Sequence, residues 1–84
     1  MEIIVVADPV TDNDFSVRKF IKEGENHYVE IQPKQKAYRI KISSSDYNDA
    51  LRAYYSSKSI NCYPIKGDHE DGVFEDAIYE MIIE

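Results

Sequence analysis

The sequence predicts an α+β domain: a two-layer sandwich in which an antiparallel or mixed sheet of four to five strands carries two helices on one face. Three observations predict it. A β-branched run opens the chain, two alternating segments flank a proline loop between residues 27 and 43, and helical periodicity recurs over 47–58 and again over 73–84.

Glu2 to Ala7 (EIIVVA) is a short, continuous apolar run closed by Asp8-Pro9, which reads as a central strand covered on both faces. Asp8 to Asp14 (DPVTDND) is turn-forming, and Pro9 cannot extend a ladder. Phe15 to Glu23 (FSVRKFIKE) fits two periods. A helix would bury Val17, Phe20 and Ile21 and stop at Gly24, whereas a strand would alternate Phe15, Val17, Lys19 and Ile21 and turn back through Glu23–Asn26. The strand is favoured because the helical stripe is narrow and no capping box precedes it.

His27 to Gln32 (HYVEIQ) places Val29 and Ile31 on one face, Tyr28 and Glu30 on the other. After the loop Pro33–Lys36, Ala37 to Ser43 returns with Tyr38, Ile40 and Ile42 inward and Arg39 and Lys41 outward. Ser43-Ser44-Ser45-Asp46 offers helix caps, and Tyr47, Ala50, Leu51, Tyr54 and Lys58 then follow at helical spacing, with Tyr55 on the shoulder of the stripe. Ile60 to Ile65 (INCYPI) reads as a strand that Pro64 confines to an edge or ends early. From Val73 the apolar residues Val73, Phe74, Ala77, Ile78, Met81 and Ile82 follow the i, i+1, i+4, i+5 spacing of a helix with one buried face.

Eighty-four residues make one domain spanning 1–84, close to the smallest size that folds on a single core. Seven Tyr, three Phe and no Trp supply much of that core, and the Tyr hydroxyls bring it to the surface in places. A lone cysteine, Cys62, excludes an intramolecular disulfide. With no signal-peptide pattern and no membrane-length apolar run, the expected location is cytoplasmic and no membrane partner is expected.

No residue pattern assembles a catalytic set, so a non-enzymatic protein without cofactor or metal is expected. Cys62 has no flanking base and no spacing signature around it, while His27 reads as lining the core margin and His69 as part of an acidic turn. Counted from Asp68, the glycine and the glutamate that a calcium loop requires are out of place. Gly24, Gly67 and Gly72 are too dispersed to cradle a phosphate.

Charge is the stronger signal. Asp68 to Glu84 holds seven acids and no Lys or Arg, a charge of −7 against −6 for the whole chain, so residues 1–67 sum to +1. Read as a helix, this segment exposes Glu75, Asp76, Tyr79, Glu80 and Ile83, a mixed face suited to a protein partner with a basic surface. Asp76, Glu80 and Glu84 would repeat about every 6 Å along that helix, the spacing an inhibitor mimicking a nucleic-acid backbone would use. Glu80 and Glu84 would also oppose the helix dipole at its C-terminus. The alternative reading is a nucleic-acid-binding module using Tyr28, Arg39 and Lys41 on the outer sheet face. Either surface leaves room for a homo-oligomer.

Overall fold

The computed structural model describes residues 1–6 and 14–84. Their elements run β1 (Glu2–Val5), β2 (Asp14–Glu23), β3 (Asn26–Gln32), β4 (Tyr38–Ile42), α1 (Ser44–Tyr55), β5 (Ile60–Lys66), β6 (Val73–Phe74) and β7 (Ile78–Ile83). This corrects the expected sandwich: seven strands form the sheet rather than four to five, and one α-helix packs on it rather than two. The expected turn at Asp8–Asp14 lies, apart from Asp14, outside the described residues.

β2 organises the sheet. It pairs antiparallel with β3 along one edge, while β1 takes the C-terminal part of the other edge, from Lys19 to Lys22. β5 joins that same edge nearer the N-terminal end of β2, through Ser16 and Asn61. Residues 15–23 are thus strand, with a register shift between Asp14 and Lys19; Val17 and Phe20, three residues apart, both join the core cluster, while Ile21 is fully buried on the opposite face. That bulge explains why the segment also fitted a helical period. The β2–β3 turn is two residues long, and Gly24 takes the positive φ (62°) that a right-twisted hairpin requires at its first loop position.

The core lies on the face where Phe20, Val29 and Ile40 sit side by side on adjacent strands. All three are fully buried, as is Ile31, and each such side chain contributes about 1.5–3 kcal/mol. α1 covers this face with Tyr47, Ala50 and Ala53. Phe20 meets Tyr47 edge-on, ring centroids 5.6 Å apart. The helix starts where the serine run allows: the Ser43 hydroxyl accepts from the Asp46 N–H at 3.0 Å.

Two expectations about strands need correction. β1 is peripheral rather than central: among the described residues it pairs with β2 alone, and Ile3 and Val5 are exposed. β5 lies between β2 and β7 rather than at an edge, yet Pro64 is accommodated because, among the described residues, β2 pairs with β5 at Asn61 and not at Pro64. No backbone donor is needed from Pro64 on that side.

The largest correction is the C-terminus. Residues 73–84 form β6, a short turn and β7, not a helix. On a helix, Asp76, Glu80 and Glu84 would have stacked like charges one turn apart with the last two against the negative pole. Val73, Ile78, Ile82 and Ile83 also favour extended backbone.

β6 and β7 force the sheet to curl. β6 pairs parallel with β4 at one end of the strand order and β7 with β5 at the other. In a flat sheet those ends would stand about 24 Å apart, at ~4.8 Å per strand. The connection from Phe74 to Ile78 reaches at most about 14 Å, so only a curled sheet satisfies both pairings. Where the curl closes, a Cβ on Gly67 would stand 2.8 Å from the Ala77 Cα, and Gly67 has φ 137°. No helix among the described residues is long and apolar enough to cross a membrane.

Candidate interaction surface

β7 alternates, and its two faces differ in kind. Its register with β5 sets Tyr79, Met81 and Ile83 opposite Pro64, Cys62 and Ile60, toward the core. Glu80 and Ile82 lie opposite Tyr63 and Asn61 and face outward, and Ile78 falls on the same outer side by alternation. Ile78 is 62% exposed and Ile82 38%.

The five residues expected at a partner surface are therefore separated. Glu75 and Asp76 are exposed in the turn between β6 and β7. Glu80 is exposed on the outer face of β7. Tyr79 is a strut: its hydroxyl donates to Asp46 Oδ2 at 2.5 Å and accepts from the Ser43 N–H at 3.0 Å, tying β7 to the start of α1. Burial first, and the bond to Asp46 second, raise its phenol pKa. Ile83 faces the helix and lines a groove of about 370 Å³ with Asp49, Arg52, Ala53, Ser56 and Lys58. The helical row of carboxylates does not exist. Glu80 and Glu84 are about 13 Å apart along an extended chain, and Asp76 precedes the strand.

The sheet face proposed for nucleic acid is largely neutralised from within. Lys19, Glu30 and Arg39 lie side by side across three strands. The Glu30 carboxylate is 3.5 Å from Lys19 Nζ and 3.6 Å from Arg39 Nε, and its side chain is 12% exposed. Tyr28 lies opposite Lys41, with its hydroxyl 3.4 Å from both Glu75 carboxylate oxygens, a long contact. Desolvation and then the Glu75 charge raise the Tyr28 pKa. Arg39 and Tyr28 are thus engaged with carboxylates, which leaves Lys41 as the cation of the trio without an ion pair among the described residues.

The remaining reactive side chains are structural. Cys62 is fully buried, and burial pushes its thiol up to about 12. His69 accepts from the Gly72 N–H at 3.1 Å through Nδ1, with Tyr38 and Phe74 rings 5.0 and 5.2 Å away. It stands beside an open acidic depression lined by Asp68, Glu70, Glu75 and Asp76. Among the described residues no three His, Cys, Asp or Glu side chains are grouped to hold a metal.

The sequence reading missed Ile78 and Ile82. Their signal was the period of two in IYEMII, where Ile78, Glu80 and Ile82 alternate with Tyr79, Met81 and Ile83. What this surface has in kind with other proteins is not given by likeness: no family model, curated protein or solved structure matches the chain.

Proposed function

We propose that this protein acts by binding a basic protein surface through its C-terminal acidic segment, without chemistry of its own. One observation carries the reading. Residues 68–84 hold seven acids and no cation, and Glu75, Asp76 and Glu80 are exposed beside Ile78 and Ile82. Exposed apolar side chains beside three acids support a contact with a partner of the opposite sign, with Lys66 across the ladder from Ile78 as the cation at their margin. The pairing of Lys19 and Arg39 with Glu30 counts against the nucleic-acid alternative on the sheet face.

The test uses defined probes: a Lys-rich peptide and a single-stranded oligonucleotide, each titrated at low and high salt. Binding of the peptide alone, weakened by salt and by Glu75→Gln with Asp76→Asn and Glu80→Gln, is the expected outcome. Binding of the oligonucleotide instead, or peptide binding indifferent to the three neutralisations, overturns the reading.

A further inference from the structure

The outward edge of β7 has the geometry of an open strand ladder. Ser59 and Glu84 exchange two backbone bonds, Ser59 N–H to Glu84 O at 3.2 Å and Glu84 N–H to Ser59 O at 2.9 Å. In an antiparallel pair such exchanging positions alternate with positions whose amides point away from the neighbour. Counting back from Glu84, residues 82 and 80 bond inward to β5, while Tyr79, Met81 and Ile83 turn their N–H and C=O groups outward. β7 ends the strand order, and no strand among the described residues meets those groups. The edge is six residues long, with no proline or bulge in its free side and no lysine to guard it.

We propose that this edge takes an added strand from a basic partner protein, in an extended segment patterned apolar–x–Lys/Arg–x–apolar. The inference rests on the basic-partner reading above and specifies how that partner is held. On the outer face Ile78, Glu80 and Ile82 stand in a row, so an added strand meets an apolar, an acidic and an apolar position at alternate residues. A cation opposite Glu80, flanked two residues away by apolar side chains, matches all three. Glu80 is in no ion pair among the described residues. The intervening residues of the partner lie over the groove beside Ile83 and Ala53, where Asp49 is paired with Arg52 and Lys58 adds a cation, so the selecting charge is Glu80 on the outer face. Main-chain bonds to Tyr79, Met81 and Ile83 hold the segment, and the side chains select it.

A second copy of the chain fits this edge poorly. In a two-fold antiparallel pairing, Glu80 meets Glu80, Glu84, Ile78 or Ile82 according to register, never a cation. Each copy also brings its own −7 segment. The acid in the middle of the strand therefore disfavours self-pairing and suits a basic strand.

The test compares three peptides with the intact protein: one with an Ile–x–Lys–x–Ile core, the same sequence N-methylated at alternate residues on its ladder edge, and a scrambled peptide of equal charge. The first is expected to bind at least about tenfold tighter than the other two, and to slow amide exchange at Tyr79, Met81 and Ile83 selectively. Glu80→Lys is expected to reverse the preference toward a core with Glu in place of Lys. Equal binding of all three peptides with unchanged exchange overturns strand addition but leaves the basic-partner reading standing. Failure of every basic peptide overturns both. Protection of the same three amides by increasing protein concentration alone assigns the edge to a second copy and overturns the basic occupant.

Discussion

The β3–β4 hairpin and the β6–β7 segment each give two strands to the same sheet, yet they hold their places by different means. Val29, Ile31 and Ile40 are fully buried, and α1 lies across the hairpin's core face. In β7 no residue is fully buried, and three isoleucines are exposed. The hairpin is fixed by apolar burial. The C-terminal segment buries Phe74 and packs Tyr79 and Met81 against the core, and is otherwise fixed by backbone pairing with β4 and β5, by one glycine contact and by the Tyr79 hydroxyl. A region held this way can keep its side chains outward, and that is what a binding surface requires.

The largest effect that sharpens this contrast is at Ile40. Ile40→Ala is expected to cost about 2–4 kcal/mol through lost burial and a residual cavity, and Ile82→Ala less than about 1 kcal/mol. Denaturant unfolding of both variants checks it, and equal costs would break the contrast. Next comes Gly67→Ala, expected to cost about 1–3 kcal/mol because it adds a Cβ at a positive φ against the Ala77 backbone. A neutral result in thermal unfolding would show that the curl closes elsewhere.

Tyr79→Phe removes the donor to Asp46 and the acceptor of the Ser43 N–H, with an expected loss of about 1–2 kcal/mol. Amide exchange should then rise first at the start of α1 and in β7 while the hairpin is unchanged. Cys62→Ala should cost a little near neutral pH, and that cost should shrink and then reverse in alkali. The buried thiol keeps its proton to about pH 12, whereas an exposed thiol loses it near pH 9.0. Between those values the unfolded state binds fewer protons, so native stability falls as pH rises, by at most about 1.4 kcal/mol per pH unit. The difference between wild type and Cys62→Ala, measured across pH 8–12, isolates this contribution from the titration of tyrosines. A flat difference would place Cys62 outside the core, and fast alkylation of the native protein would agree.

The two regions were also unequally legible in the sequence. In the hairpin, alternation, β-branching and the Pro33 loop all indicated strands, and β3, β4 and α1 lie close to their expected places. Across 73–84 the apolar residues happened to satisfy a helical period, while β-branching and the opposed dipole pointed the other way. Because Phe74 belongs to one strand and Ile78 to another, the period spanned a turn and described no single element. β1 was misplaced for a different reason. Its apolar run looks the same whether a strand is covered on both faces or lies at a rim, and only the pairing decides. Of the candidate surface, the acids of 75, 76 and 80 were legible from charge alone. The outward isoleucines were not, because which side chains face outward follows from the backbone period.

The curl that brings β6 to β4 and β7 to β5 also sets a timetable. The β2–β3 hairpin closes across a two-residue turn, so it can form early at little entropic cost. β6 finds β4 only after α1 and β5 have been laid down between them, and its pairing with Arg39 and Ile40 joins residues distant along the chain. Closure belongs to the late side of the folding barrier. Substitutions at Phe74 or Met81 should then leave the refolding limb of a chevron nearly unmoved and steepen escape from the native state, whereas those at Val29 should slow refolding. The last part to assemble is then the first to open, and the hairpin and its helix stay folded when it does.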